Sequence, residues 1–322
     1  MEEKQLYPMT FCLLEDTYGW GTDGFLLADL GYRDSVIRNG WLAGNSLGEV
    51  MDMYMDRVVG ENAFAFWGRQ FPVQIKKISV NGTMPLRVHP DYDTAVRRYD
   101  FLGREKLWYV LSAEPGARIF AGWDTDTDAG AVYDKCLGDT AAGLLRAFEP
   151  HAGQFIHIPP GTPHSASGKL VIIEVSESSP LDFCMSGLGF PVHPDEFDET
   201  LSLVEAMDFI DYKEFTGQLQ TPGKGPREPL VALAEFEASL LRPVSPMRIG
   251  AADSFVIFTC MGGGAVLQMD VLGEKAEFEL EDGRSMLVPA ECPECVLLPT
   301  QRDTLILETV VPPREEKDSY LG

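Results

Sequence analysis

Residues 153–164 read Gly153-Gln-Phe-Ile-His-Ile-Pro159-Pro-Gly161-Thr-Pro-His164, and this stretch decides the fold. The apolar and β-branched side chains between Gly153 and Pro159 predict a short strand. The following Pro-x-Gly predicts a turn, because proline fixes φ and glycine adopts backbone angles that other residues avoid. The stretch therefore predicts a short strand that ends in a tight turn, with His164 directly after the turn.

A second glycine–strand–proline unit stands near the other end of the chain, where residues 283–289 read Gly283-Arg-Ser-Met-Leu-Val-Pro289. Around both units, short β-rich runs alternate with Gly, Pro, Asn and Asp, which is typical of sandwiches and barrels. We predict an all-β core with attached helices, built as two tandem barrels. The Pro- and Gly-rich stretch 220–229 is the expected linker. It would separate a first barrel with helical insertions (1–220) from a smaller, degenerate second barrel (221–322).

Three segments between the β-rich runs predict helices. Ser46 precedes an apolar run and Glu49 follows three residues later, which is the capping-box signature of a helix start. Residues 124–148 lack β texture and read as an acidic loop followed by a helix. Residues 195–212 carry apolar side chains near helical spacing and acidic side chains between them.

The chain has 322 residues with 26 basic and 50 acidic side chains, so its formal net charge is 26 − 50 = −24. Its length corresponds to about two domains. Such a charge argues against nucleic acid and anionic membrane surfaces as partners, because both attract basic protein faces. A few local cations can still form a positive pocket for one small anion.

The first ten residues lack the basic and apolar regions of a signal peptide. No apolar run approaches the roughly 18–20 residues that a membrane span needs. The 6 cysteines are scattered, which suits buried thiols in a reducing compartment. Cys292 and Cys295 have a metal-like or redox-like spacing, but an isolated pair of this kind fits a strand-edge turn better. We therefore expect a cytoplasmic protein.

The stretch from Gly153 to His164 resembles the second motif of cupin barrels, in which the histidine is a metal ligand. Further short matches, in the same order over most of the chain, resemble class I mannose-6-phosphate isomerases of the short bacterial double-cupin form. The matching segments are Tyr18-Gly-Trp20-Gly21, Phe71-Pro72-x-x-x-Lys76, Arg87-Val-His89-Pro-Asp91, Leu107-Trp108-Tyr109, Pro160-Gly-Thr-Pro-His164-Ser165, Glu174 with Ser178-Ser179, and Gly283-Arg-Ser285 with Pro289-Ala290. The resemblance implies cupin barrels and, at family level, aldose–ketose isomerisation of a sugar phosphate in carbohydrate metabolism, with zinc or another divalent metal as cofactor.

The departures from this family fall on its chemistry. The family binds zinc through the glutamine and histidine of Gln-Val-His-Pro, a glutamate before Met-Trp-Tyr, and the histidine of Gly-Thr-x-His. The matching positions here are Arg87, His89, Lys106 and His164. Guanidinium and ammonium groups cannot ligate a metal, so we expect an altered, incomplete metal site with His89 and His164 as its candidate ligands. The arginine that follows the family's Ser-Ser pair is also missing, and the segment 180–184 reads Pro-Leu-Asp-Phe-Cys.

The resemblance implies an inward-facing set of polar side chains in the first barrel. Lys76, Arg87 and Lys106 are the candidate substrate-binding residues. Lys76, Lys106 and Glu174 are the candidate catalytic residues, although Glu174 alternatively pairs with Arg87 or Lys106. The two histidines form either a residual metal site, completed by Glu174 or water, or a metal-free pair bonded to neighbours. Glu105 should point away from the site, because successive residues of a strand face opposite sides.

Three functions remain open from the sequence. The first is a working mannose-6-phosphate isomerase whose relocated ligands hold a zinc-like ion. The second is a catalytically silent relative that binds a sugar, a sugar phosphate or another small anion. The third is a different isomerase or epimerase that uses Lys106 or a histidine as base. The second barrel reads as structural, because Glu291 stands where its motif needs glycine and no histidine follows it in the segment Cys-Pro-Glu-Cys.

Overall fold

The structure is a computed structural model that describes residues 4–189, 203–250, 253–271 and 273–313. Strands dominate these ranges, which confirms the predicted all-β core with attached helices. The strands are β1 (Met9–Thr10), β2 (Leu14–Tyr18), β3 (Gly21–Leu27), β4 (Val73–Thr83), β5 (Leu86–Val88), β6 (Lys106–Ala113), β7 (Arg118–Trp123), β8 (Leu145–Phe148), β9 (Phe155–Ile158), β10 (His164–Glu177), β11 (Phe183–Ser186), β12 (Arg227–Ala232), β13 (Glu237–Leu241), β14 (Met247–Ile249), β15 (Val256–Gly262), β16 (Gly264–Val271), β17 (Glu274–Glu281), β18 (Ser285–Val288), β19 (Cys295–Pro299) and β20 (Leu305–Val310).

The helices are short. They are α1 (Leu47–Tyr54), α2 (Asp56–Val59), α3 (Glu61–Trp67), α4 (Tyr92–Tyr99), α5 (Ala129–Leu137) and α6 (Leu203–Ala206), with 3₁₀ turns at Gly40–Leu42 and Ala141–Leu144. The capping box is confirmed, because the Glu49 amide donates to Ser46 Oγ at 3.1 Å and the Ser46 amide donates to the Glu49 carboxylate at 2.8 Å. Among the residues that the structure describes, no helix is long and apolar enough to cross a membrane.

The two remaining helix predictions have different outcomes. Helix α5 lies within the predicted segment 124–148, and the Asp128 carboxylate caps it by accepting from the Ala131 amide at 3.0 Å. For the segment 195–212, residues 195–202 lie outside the described residues. The described part forms only the short α6, and the chain beyond Ala206 turns into irregular backbone.

The described chain divides into two compact units, each discontinuous in sequence. The first unit comprises residues 15–24 and 76–221, and the second comprises residues 1–14, 25–75 and 222–322, as far as they are described. The break after residue 221 lies in the predicted linker. The predicted assignment of all of 1–220 to one barrel differs from this division for residues 1–14 and 25–75.

The contacts of the N-terminal segments give the physical reason for that difference. Strand β1 pairs antiparallel with β18. The Arg57 guanidinium on α2 binds the Glu291 carboxylate at 2.7 Å. The Asp253 carboxylate accepts from the Glu61 amide at the start of α3 at 3.1 Å. Each of these interactions joins residues more than 190 positions apart in the sequence, so no local sequence pattern predicts them.

The second unit is a sandwich of two antiparallel sheets. The six-stranded sheet has the order β1-β18-β15-β20-β13-β12, and the four-stranded sheet has the order β14-β19-β16-β17. Its core lies between them, because the buried cluster combines side chains of both sheets, such as Phe258 and Ile306 from one with Leu267 and Leu297 from the other.

The first unit is built on a ten-stranded, strongly curled sheet. The main order is β11-β5-β10-β4-β3-β2, with β6 bridging β10 and β9, and β7 bridging β10 and β8. The long strand β10 is the hub of this sheet, because β4, β5, β6 and β7 all pair with it. An apolar cluster that includes Trp108, Ile156 and Ile172 fills the interior. The polar site described below is carried by the same strands.

The start of α3 generates a stability prediction. Gly60 has φ +93°, and a Cβ there would lie 2.3 Å from the Asp253 carbonyl oxygen. Gly68, at the end of α3, also has positive φ (+61°) but no atom within 4 Å of such a Cβ. We expect Gly60→Ala to lower the free energy of unfolding by at least about 1 kcal/mol more than Gly68→Ala, because only the first adds a backbone clash to the strained φ. Urea unfolding of both variants measures the difference, and equal losses would contradict the described contact.

Candidate functional site

The candidate residues are placed by the strands that pair with β10. Lys106 is the first residue of β6, and Glu174 lies near the end of β10. His164 begins β10, where it pairs across the ladder with Arg87 of β5, and His89 follows β5 directly. All five side chains lie within the first unit, and Lys106, His89, His164 and Glu174 are each at most 2% exposed. The inward orientation predicted for Arg87 and Lys106 is observed.

The Lys106 ammonium stands at the centre of this site. Its Nζ lies 3.0 Å from His164 Nε2, 3.4 Å from Asp182 Oδ1 and 3.7 Å from Glu174 Oε2. A buried cation needs such partners, because moving an ion from water into a protein interior costs about several kcal/mol even after the protein relaxes around it. One imidazole nitrogen and two carboxylates therefore surround a single positive charge.

Two members of the site escaped the sequence analysis as functional residues. Arg104, 2% exposed, lies 3.3 Å from Glu174 Oε1 and 3.7 Å from Asp182 Oδ2. Asp182 lies just before β11 and also binds Arg87, at 3.5 Å. Arg104 stands in the charged run Gly-Arg-Glu-Lys, which reads as a solvated surface. Asp182 gave no signal of a site role either, because an acidic residue between the apolar Leu181 and Phe183 reads as the outward-facing position of a strand.

The histidines are neutral and differ in their partners. His164 Nδ1 lies 3.0 Å from the Thr162 carbonyl oxygen, so it carries the proton, and Nε2 accepts from Lys106. Within the described residues, neither ring nitrogen of His89 has a hydrogen-bond partner. The two rings lie 5.0 Å apart. Burial and the Lys106 charge lower the pKa of His164 to about 3 and place the pKa of His89 well below 6.5.

The charges of the cluster hold one another ionised. Burial, together with Arg104, lowers the pKa of Lys106 to about 8, so the amine is largely protonated at neutral pH. Burial works against the charged form of Glu174, but Lys106 and Arg104 outweigh it and hold its pKa at about 2. The same two cations, with Arg87, keep the pKa of Asp182 well below its usual range against the effect of burial. The alternative in which Glu174 pairs with Lys106 is therefore observed, with Arg104 as the nearer partner.

A second layer surrounds the cluster. Lys76 pairs with Asp23 at 3.2 Å. The Arg87 guanidinium lies 5.9 Å from the centroid of the Trp20 ring, within the range of a cation–π contact. Trp108 is fully buried, and its Nε1–H donates a hydrogen bond to Glu174 at 2.7 Å.

The site carries little net charge despite its many cations. Its four cations are Lys76, Arg87, Arg104 and Lys106, and its three carboxylates are Asp23, Glu174 and Asp182. With neutral histidines, the sum over these residues is 4 − 3 = +1. The acidic protein thus has the expected group of local cations. Carboxylates balance most of their charge, so the group is a nearly neutral ion cluster and not a strongly positive pocket.

The residues of the site do not fit a divalent metal. His164 Nε2, the nitrogen that would face a metal, is 3.0 Å from the Lys106 ammonium. A fixed positive charge at that distance repels a cation. Across the described ranges, no group of three His, Cys, Asp or Glu side chains is arranged to hold a metal ion. The family's zinc therefore has no matching ligand set here.

A separate cavity of about 380 Å³ in the first unit does not coincide with the ion cluster. Its lining includes His157, Thr162 and Phe215. His157 Nε2 lies 2.6 Å from the Glu105 carboxylate, which confirms that Glu105 points away from the side of the strand that carries Lys106. None of the sequence-predicted site residues lines this cavity.

Comparison with known proteins gives a consistent picture. No protein-family model matches the chain. Its sequence is 29% identical over 145 residues to a mannose-6-phosphate isomerase from Streptococcus mutans, a match that covers 45% of this chain and 44% of the relative. It is 24% identical over 181 residues to a mannose-6-phosphate isomerase from Bacillus subtilis, covering 50% and 54%. The chain thus matches about half the length of these curated relatives.

The structural similarity extends over nearly the whole chain. A crystal structure of the mannose 6-phosphate isomerase from Bacillus subtilis superposes with a TM-score of 0.80 at 17% identity, covering 94% of this chain and 99% of that one. A variant of the phosphomannose isomerase from Salmonella typhimurium gives a TM-score of 0.72 at 14% identity, covering 96% and 100%. These similarities confirm the predicted cupin, jelly-roll type of fold. In sequence and fold the chain is similar to mannose-6-phosphate isomerases.

The depressed pKa of Glu174 generates a prediction about stability and pH. The ionised Glu174 stabilises the folded state, and this stabilisation is fully present above its ordinary pKa of 4.5. It is lost progressively as the pH falls from 4.5 towards about 2. We expect Glu174→Gln to lower the free energy of unfolding by about 3 kcal/mol at pH 7, because it removes one of the two carboxylates that compensate the buried Lys106 and Arg104. The difference from wild type should shrink steadily below pH 4.5.

Urea unfolding between pH 3 and pH 7 measures that difference. Glu114→Gln is the matched control, because Glu114 is 66% exposed in a 3.8 Å pair with Lys169. Its effect should stay below about 1 kcal/mol at every pH. A Glu174→Gln effect that does not vary with pH would contradict the described ion cluster.

Proposed function

We propose that this chain is a mannose-6-phosphate isomerase-like protein of carbohydrate metabolism whose ion cluster binds a sugar phosphate. The observation that carries the proposal is a set of buried polar atoms that have no hydrogen-bond partner within the described residues. They belong to residues of the ion cluster or to residues in contact with it, and are Trp20 Nε1, Asp23 Oδ1, Arg87 Nε, both ring nitrogens of His89, and Arg104 Nε. Buried polar groups are almost always paired, so this set points to a polar ligand.

The mixture of free donors and acceptors suits a sugar phosphate. The Nε–H groups of Arg87 and Arg104 donate to anionic oxygens, and charge-assisted bonds of this kind are the strong ones. Asp23 Oδ1 accepts from a hydroxyl, and His89 can donate or accept according to its tautomer. A sugar phosphate offers both kinds of group in one molecule.

Exposure indicates how the ligand enters. The side chains of Arg87 and Asp182 are 13% and 14% exposed, whereas those of Arg104, Lys106 and Glu174 are at most 3% exposed. Arg87 is thus the cation of the cluster that solvent reaches most easily. In this proposal Arg87 takes the phosphate, and the sugar hydroxyls face the deeper groups.

The similarity to mannose-6-phosphate isomerases suggests aldose–ketose isomerisation as the reaction of this site. It moves a proton between neighbouring carbons through an enediol and needs a group that stabilises the enediolate oxygen. The Lys106 ammonium is a preorganised donor of the required charge. Its pKa of about 8 is near neutral pH, where proton transfer is most effective. Glu174, with a pKa of about 2, is a weak base and serves in this proposal as a positioning residue for Lys106.

A catalytically silent sugar-phosphate-binding relative is the second candidate. The contacts of Lys106 favour it, because the ammonium is already engaged by His164, Asp182 and Glu174. A reacting group must release such partners to act on a substrate. Binding is common to both candidates, and turnover distinguishes them.

Isothermal titration calorimetry with mannose 6-phosphate tests the binding. We expect Arg87→Met to weaken the affinity about 10- to 100-fold, the usual worth of a charge-assisted hydrogen bond. Arg97→Met is the matched control, because Arg97 is 77% exposed on α4 and pairs with Asp93 of the same helix. Its affinity should equal that of wild type, and mannose without phosphate should bind wild type and Arg87→Met equally weakly.

The outcomes separate the alternatives. Failure of wild type to bind mannose 6-phosphate or fructose 6-phosphate would overturn the proposal. Binding with equal affinity in wild type and Arg87→Met would refute the phosphate position. Proton NMR of mannose 6-phosphate, in excess over the protein, then follows its conversion to fructose 6-phosphate. An isomerase carries out this conversion, and a silent relative does not.

A further inference from the structure

We infer that the Lys106 ammonium occupies the place of a metal ion, so that this cupin site is metal-independent and Lys106 is what keeps metals out. This inference does not rest on the proposed function, because it concerns the cation of the site and not its substrate. It starts from the misfit between the site and a metal described above.

The surroundings of Lys106 Nζ resemble the ligand set of a metal. His164 Nε2, Asp182 Oδ1 and Glu174 Oε2 approach it from three separate segments of the chain, at 3.0, 3.4 and 3.7 Å. One imidazole nitrogen with two carboxylate oxygens is a set that zinc accepts, with a further position left for water. Here the three groups converge on an ammonium.

The orientation of the imidazole supports the same reading. The Nδ1–H of His164 donates a hydrogen bond to the Thr162 carbonyl oxygen. The lone pair therefore lies on Nε2, which faces Lys106. Backbone carbonyls orient metal-ligating histidines in this way. The ring is therefore set to offer its lone pair to a cation at the position of the ammonium.

The charge balance explains why a metal cannot simply join Lys106. Arg104 and Arg87 already contact the two carboxylates, with Arg104 3.3 Å from Glu174 and Arg87 3.5 Å from Asp182. A divalent ion beside three fixed cations would be strongly repelled. Removing Lys106 deletes the nearest cation and frees His164 Nε2, whereas Glu174 keeps its contact with Arg104 and Asp182 keeps its contacts with Arg104 and Arg87. The repulsion falls, because only two guanidinium groups then remain beside the two carboxylates.

This reasoning predicts that deleting the amine creates a metal site. In Lys106→Ala, His164, Glu174 and Asp182 surround an emptied point and need to move by roughly 1–2 Å to reach zinc-ligand distances. We expect this variant to bind one equivalent of Zn²⁺, to bind Co²⁺ with the visible absorption of a tetrahedral site, and to melt at a higher temperature when zinc is added. The wild type should show none of these changes, and EDTA should leave its melting temperature unaltered.

Two controls make the assignment specific. Lys169→Ala removes a lysine whose side chain is 63% exposed, and it should behave as wild type. Lys106→Ala combined with His164→Ala removes the nitrogen ligand and should lose the zinc response. Metal content by mass spectrometry and calorimetric titration with Zn²⁺ alone are the readouts, and neither depends on activity or on a sugar phosphate.

Several results would overturn the inference. Wild-type protein that holds a stoichiometric metal dependent on His164 would show that Lys106 does not exclude metals. A folded Lys106→Ala that binds no zinc would show that the three groups are not a latent ligand set. If Lys106→Ala is unfolded without metal, zinc should restore its circular dichroism spectrum, and failure to do so counts against the inference. If the wild type fails to bind mannose 6-phosphate, that result contradicts the proposed function and leaves this inference standing.

Discussion

The contact between the Lys106 ammonium and His164 Nε2 is the interaction on which the rest of the site depends. A buried ammonium must be compensated, and Glu174 and Asp182 provide the compensation. Two buried carboxylates in turn need more than one cation, which Arg104 and Arg87 supply. Each charge is thus stabilised by the others, and the cluster is a set of mutually compensating groups.

The fold makes this cluster possible because one strand holds most of its parts. Strand β10 carries His164 at its start and Glu174 near its end, and it pairs with both β5 and β6. Those neighbours bring Arg87 and Lys106 to the same side of the curled sheet. A protein with a net charge of −24 therefore gathers four of its cations in one buried place, and a set with a net charge of +1 remains inside an acidic exterior.

Much of the fold could be predicted from the sequence because its signals are local. The β-rich runs at 72–80, 107–113 and 254–261 fall largely within strands β4, β6 and β15, and the Ser46–Glu49 capping box begins a helix. Such signals need only neighbouring residues. The grouping of residues 25–75 with the second unit could not be predicted, because it depends on ion pairs and caps such as Arg57 with Glu291, which are remote in sequence.

The candidate site divides in the same way. By itself the sequence determined that the two positions expected to hold metal ligands are Arg87 and Lys106, because the identity of a residue fixes whether it can ligate a metal. It also determined that His89 and His164 remain. Only the tertiary structure decided that Arg104 and Asp182 join them, and that the cations are neutralised by carboxylates. The physical reason is that electrostatic compensation depends on distances of 3–4 Å in space, and those distances join side chains that lie more than 50 residues apart in the chain.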